Sequence, residues 1–232
     1  MEIKGSVALV TGANRGIGLA FTRALLARGA AKVYAGVRNP ESFREPGVET
    51  LRLDVTDEDQ IADAAAAASD ATIVINNAGI QAGPALLEGS LEGARREMEV
   101  NYLGTWAVSR AFAPVLAVNG GGALVNMLSV ASWRVNKMWP SYAASKAAEW
   151  SLTNALRFGL RQQGTLVVGV HVGPVDTEGA AALDAPKLPA TEVAAQTLDA
   201  VSRDESEVLV DELSRRVRAA LSGPVELLEP TQ

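Results

Sequence analysis

Seven short apolar runs divide this chain, and most neighbours among them are separated by a stretch long enough to hold a helix. The runs are Ser6 to Thr11, Lys32 to Val37, Thr50 to Asp54, Thr72 to Asn76, Ala123 to Ser129, Thr165 to Val172 and Glu207 to Val210. They are apolar nearly throughout rather than alternating, the pattern of strands buried on both faces in a parallel sheet. Helical periodicity fills Gly16 to Arg28, Asp57 to Ala68, Leu91 to Leu116, Tyr142 to Gln162 and Thr191 to Ser202. The order strand, helix, strand predicts a doubly wound α/β sheet with helices on both faces. At 232 residues, with no linker or internal repeat, one domain spanning 1–232 is expected. Thr56, before three acids, is the expected N-cap of the second helix. Gly120-Gly121-Gly122 marks a turn, and Ala185 to Pro189 an irregular loop where a flap could sit.

Composition excludes several kinds of chemistry. The chain has no cysteine and one histidine, so disulfides, thiolate metal sites and a histidine-clustered zinc site are ruled out; no metal is expected. A formal net charge of -6 argues against a nucleic-acid surface. No apolar stretch approaches the roughly 18 residues of a membrane span, and the first residues lack a secretory layout, so no membrane partner and a cytoplasmic location are expected.

Two motifs carry chemistry. Thr11-Gly12-Ala-Asn14-Arg15-Gly16-Ile17-Gly18 follows a predicted strand and opens a predicted helix, so its glycines can bring a pyrophosphate against helix N–H groups. Alone, such a turn also suits a tight structural connection. Arg38 stands just past the second strand, where an acid would grip a ribose 2'-hydroxyl and an arginine a 2'-phosphate; no Asp or Glu lies between Lys32 and Asn39. With Arg15 as a second charge, this favours NADP(H). Tyr142 and Lys146, at i and i+4, share a helix face, with Ser129 upstream at a strand end. A phenol, an ammonium and a hydroxyl there could act on one C=O or CH–OH group, though Tyr and Lys at this spacing also occur by chance on exposed helices.

Taken together, these motifs resemble the short-chain dehydrogenase/reductase family, in the branch with a T-G-x-x-x-G-x-G turn and a single Rossmann-type domain. The resemblance runs from Ser6 to about Thr177 and includes Asp54, Asn76-Asn77-Ala78-Gly79, Asn101, Ser129 and the Tyr142–Lys146 pair. It implies a catalytic tetrad of Asn101, Ser129, Tyr142 and Lys146. Tyr142 would donate a proton to the carbonyl, Ser129 hold the substrate oxygen, Lys146 favour the phenolate and bond the nicotinamide ribose, and Asn101 anchor a water. It also implies cofactor contacts at Asp54, Val55, Asn77, Ala78, Gly79, Gly173, Val175 and Thr177, and association into a homo-oligomer through the helices Leu91 to Leu116 and Tyr142 to Gln162, where Trp150 and Phe158 suit either a contact or core packing. The chain departs from the family at Val172-Gly173-Pro174, where the proline falls one place later than usual, so the local turn should differ.

The expected activity is NADPH-dependent reduction of a ketone or aldehyde, reversibly, on a small-molecule substrate. A 3-oxoacyl thioester reductase is an alternative, with Arg95 and Arg96 a thin docking patch; a non-catalytic NADP(H)-binding regulator is another, disfavoured by the Ser, Tyr and Lys together. Gln81 to Pro84, Ser132, Trp133, Met138, Trp139 and Val172 are candidate walls of the substrate pocket, the tryptophans serving equally as core. His171 reads as structural. Glu178 to Ala190 is short for a lid, so an open cleft is expected.

Overall fold

Each apolar run becomes a strand because its alternate residues feed two cores at once. The computed structural model describes residues 1–135, 138–180 and 185–228. The strands are β1 (Val7–Thr11), β2 (Lys32–Val37), β3 (Val48–Arg52), β4 (Ile73–Asn76), β5 (Ala123–Met127), β6 (Leu166–His171), β7 (Val175–Asp176), β8 (Leu188–Pro189) and β9 (Glu207–Leu209). The helices are α1 (Gly16–Ala27), α2 (Glu58–Ala67), α3 (Glu92–Glu97), α4 (Thr105–Val118), α5 (Pro140–Gly159), α6 (Ala190–Ser202) and α7 (Glu212–Ala220). Val10, Ile75, Val125 and Val168 point to one face, where they meet Phe21 and Leu25 of α1 and Leu198 of α6. Leu9, Val74, Leu124 and Val167 point to the other, against Ile61 of α2 and Val108, Phe112 and Leu116 of α4. Period two with both faces apolar is the origin of the unbroken runs. Each fully buried side chain of this size contributes about 2–3 kcal/mol.

Seven strands pair in parallel in the order β3-β2-β1-β4-β5-β6-β9, while β7 and β8 form a separate parallel pair. The sheet is the expected Rossmann-type architecture. Its order reverses between β1 and β4, and in such sheets the crevice beyond the carboxyl ends at that reversal is where ligands bind. Among the described residues no helix is long and apolar enough to cross a membrane, and no group of three or more His, Asp or Glu is placed to hold a metal.

The structure corrects several local expectations. Asp57, not Thr56, caps α2: its carboxylate accepts from Gln60 N at 3.1 Å, while Thr56 donates to Asp54. Strand β3 starts at Val48, directly after the left-handed Gly47, and so ends before Asp54. The single helix expected from Leu91 to Leu116 is α3, a π-helical turn over Met98–Gly104, and α4. Helix α7 was not expected; Asp211 caps it by accepting from Ser214 N at 2.7 Å. The three glycines 120–122 all adopt left-handed φ and turn α4 into β5, as expected. Within the loop expected at Ala185 to Pro189, Leu188 and Pro189 form β8; residues 181–184 of the segment from Glu178 to Ala190 lie outside the described residues.

Candidate active site

The carboxyl ends of β1 and β4 are stitched together by Thr11 and Asn77. Thr11 Oγ1 accepts from Asn77 N and Ala78 N, each at 3.0 Å, and Asn77 Nδ2 donates to Thr11 O at 2.9 Å and Gly12 O at 3.2 Å. Helix α1 packs hard against this seam. A Cβ on Gly18 would fall 2.2 Å from Gly12 O, so no side chain fits there. Arg15, the N-cap, is extended and offers no side-chain cap, which leaves the first N–H groups of α1 directed into the crevice.

That crevice is a cavity of about 910 Å³. The glycine turn supplies Gly12, Asn14, Arg15, Gly16 and Ile17; Arg38 follows β2, Asp54 and Val55 follow β3, and Asn77, Ala78 and Gly79 follow β4. Thr11, Ala13 and Gly18 do not line it; Gly18 packs against Gly12 O and Thr11 bonds the loop after β4. Asp54 already accepts from Thr56 N at 3.0 Å and Thr56 Oγ1 at 2.8 Å, and Arg15 is ion-paired with Glu178. Arg96 and Glu99 also line the space. Sequence reasoning placed Arg96 in a docking patch and missed Glu99; the first lies in α3 and the second in the π-helical turn that follows it.

A second cavity of about 500 Å³ opens beside the first and shares Ile17, Asn77, Gly79, Ile80, Thr177 and Gly179 with it. Ser129, Tyr142 and Lys146 line it together, with Gly173 and Val175. Pro140 starts α5 at its first turn, where a missing N–H costs nothing, and so places Tyr142 and Lys146 on the cavity side. Ser129 is extended at the end of β5; its Oγ accepts from Ala131 N at 3.1 Å, and Ser132 Oγ accepts from Ser129 N at 3.4 Å. The Ser129 O–H is thereby left to donate into the cavity.

Lys146 is deeply buried. Its Nζ donates to Glu149 Oε2 at 2.7 Å and Met127 O at 2.8 Å, so two of its three protons are committed and the third remains for the cavity. Burial alone would lower its pKa, but the charge of Glu149, with Tyr142, holds it above the ordinary lysine value. Burial pushes Glu149 upward against the pull of Lys146. Glu149 went unnoticed in the sequence, although an acid three residues after a lysine on the inward face of a helix was the available signal.

Asn101 does not line either cavity. It is fully buried in the π-helical turn, donating from Nδ2 to Ile80 O and Ser145 Oγ, both at 2.9 Å, and accepting from Ile80 N at 2.8 Å. Both amide protons are spent, so its side chain fixes the loop after β4. Next to it, buried Glu97 accepts from Ala82 N at 2.7 Å and Gly83 N at 2.8 Å and holds the rest of that loop.

Of the expected substrate walls, Gln81, Trp139 and Val172 line the smaller cavity. Ala82 to Pro84, Ser132, Trp133 and Met138 do not. Trp133 instead stacks on His171 with ring centroids 3.6 Å apart and meets Trp150 edge-on at 6.0 Å, which makes it core, and Met138 is exposed. His171 is likewise core, as expected. At the displaced proline, Gly173 N donates to Asp211 Oδ2 at 2.6 Å and Leu188 N to Pro174 O at 2.9 Å. The turn is thus tied to α7 and β8, and Pro174 faces the cavity.

A family model described as short chain dehydrogenase matches residues 6–188. An uncharacterized oxidoreductase of Staphylococcus epidermidis is 31% identical over 228 residues, covering 93% of this chain and 98% of the relative. Among solved structures, a short chain dehydrogenase from Burkholderia cenocepacia in complex with NADP is 40% identical with a TM-score of 0.93, covering 98% of this chain and 97% of that one. A short chain dehydrogenase/reductase from Burkholderia phymatum in complex with NAD is 25% identical with a TM-score of 0.84, covering 100% and 98%.

Proposed function

The chain belongs to the short-chain dehydrogenase/reductase family of oxidoreductases, and on that premise we propose that it reduces a ketone or aldehyde to an alcohol, reversibly, with NADP(H). The observation that carries this reading is the convergence of Tyr142, Lys146 and Ser129 on a cavity that opens into the glycine-turn crevice. The fit of a dinucleotide rests on the seam at Gly18, where only a bare backbone lets α1 present its N–H groups, and on Arg15 and Arg38 at the crevice wall. Arg38 at the end of β2, with no acid beside it, supports a 2'-phosphate; relatives in complex with either nucleotide are consistent with the fold.

The cofactor, when bound, supplies or accepts the hydride. The chain's residues handle the proton. Tyr142 gives its phenolic proton to the carbonyl oxygen as negative charge develops there, and Ser129 donates a second hydrogen bond to that oxygen. Lys146 brings an ammonium one turn from the phenol, where a positive charge stabilises the negative charge left as the proton departs. Asn101 contributes by fixing Ile80, and through it the wall common to both cavities. We further infer a homo-oligomer, from apolar side chains left exposed at Leu103, Trp106, Val118 and Phe158.

NADPH and NADH consumption across a panel of ketones, aldehydes and one 3-oxoacyl thioester tests the reading. Turnover with NADPH in preference to NADH is expected, and Tyr142→Phe should lower kcat at least 1,000-fold while leaving NADPH affinity within a few-fold. Tight nucleotide binding with no turnover on any compound would favour a regulator, and an active Tyr142→Phe would overturn the role given to the phenol.

A further inference from the structure

Glu149 is 1% exposed, in a chain whose other ion pairs between described side chains lie toward the surface. Burying a carboxylate is costly unless both oxygens are satisfied, and here both are: Oε2 accepts from Lys146 at 2.7 Å and Oε1 from Thr105 Oγ1 at 3.2 Å. Its position is braced from the far side. Thr153 Oγ1 donates to Glu149 O at 2.8 Å, Asn126 Nδ2 to Thr153 Oγ1 at 2.9 Å, and Asn76 Nδ2 to Asn126 Oδ1 at 2.9 Å, joining α5 to β5 and β4. An apolar residue would fill this site without the desolvation cost.

We propose that Glu149 is a positioning residue for the proton transfer: its carboxylate holds the Lys146 ammonium one helical turn from Tyr142 and sets the pH at which that phenol ionises. This rests on the reading of Tyr142 and Lys146 as the acting pair. The groups packed around Lys146 leave few other candidates. From α5 the titratable groups acting on it are Glu149 and Tyr142; β5 offers the Met127 carbonyl, the loop after β4 offers Gly79, and α4 reaches the carboxylate through the Thr105 hydroxyl.

A negative charge makes protons harder to remove from every neighbour. Removing it therefore lowers the ionisation pH of Tyr142 while Lys146 stays protonated, and lowers that of Lys146 as well. Glu149→Gln keeps the shape and one accepting oxygen for Lys146, turns the contact with the Thr105 hydroxyl into one the amide donates, and removes the charge; Glu149→Met removes the charge with no amide to satisfy.

Tyrosine labelled with 13C at Cζ reads each phenol's ionisation by NMR without any substrate. The chain has three tyrosines, and Tyr142→Phe identifies the signal. In the NADP+-bound protein, the Tyr142 midpoint should fall by about one pH unit, a tenfold change in its ionisation constant, in Glu149→Gln and Glu149→Met, and return most of the way in Glu149→Asp. With a substrate in hand, the alkaline limb of reduction and the acid limb of alcohol oxidation should shift the same way, whereas a merely structural role would scale the rate and leave both limbs in place. Curves that coincide with the parent over the accessible range, or a midpoint that rises, would overturn the proposal. Failure of the underlying reading would show separately, as turnover by Tyr142→Phe.

Discussion

His171 is completely buried, stacked on Trp133, and its Nδ1 lies 3.3 Å from Ser129 O, while Nε2 has no partner among the described residues. Burial, outweighing that carbonyl contact and aided by Arg157 and Arg218, lowers its pKa from 6.5 to about 3. The folded chain thus keeps the imidazole neutral where the unfolded chain protonates it. Its contribution to stability is full above about pH 6.5 and is lost as pH falls toward 3, at about 1.4 kcal/mol per unit. Urea midpoints measured between pH 7 and 4.5 should therefore fall more steeply for the parent than for His171→Phe. Equal slopes would mean that the ring is not held neutral. The sequence marked this histidine as structural from its isolation at a strand end; the depth of its burial depended on Trp133, whose placement no local pattern gave.

At the scale of elements, the strands were legible because a buried parallel strand announces itself as an unbroken apolar run, and β2 falls on Lys32–Val37 as expected. The helix from Leu91 onward was not, because helical periodicity cannot register a π-helical turn: one residue of slippage costs little in pattern and is decided by Asn101 reaching across to Ile80. Such turns recur where function needs an inward residue. Asn101→Ala strips both partners from Ile80, with two part-buried backbone groups left bare at about 1 kcal/mol or more each. A thermal midpoint lower by about 4–8 °C is expected for a chain of this size, together with weaker nucleotide binding. An unchanged midpoint would mean the loop holds itself. The glycine turn and the Tyr–Lys spacing were readable because each lies within one element. Glu149, Arg96 and the reduced role of Trp133 were not, since each depends on which helix lies opposite.

For the whole molecule, the two cores on either side of the sheet do not consume all its apolar surface. Phe158 is 83% exposed on α5, and Trp106 and Val118 stand out from α4. Sedimentation should find the parent as a dimer or tetramer and Phe158→Glu as a lighter species or a weaker association. A monomeric parent, or a variant of unchanged mass that assembles as tightly, would remove these side chains from any interface.

The glycine corner at 120–122 has a further bearing on the site. A Cβ on Gly122 would lie 2.1 Å from Thr72 O, so no side chain fits at the corner, which packs directly on the backbone just before β4. From there the chain runs extended to Ser129, turning over at every step. Distance along such a ribbon is a matter of parity: one residue gained or lost between corner and hydroxyl would deliver Ser129 to the opposite side of the sheet. Three consecutive glycines, which look like the most dispensable stretch of the chain, are the zero mark from which that hydroxyl is measured.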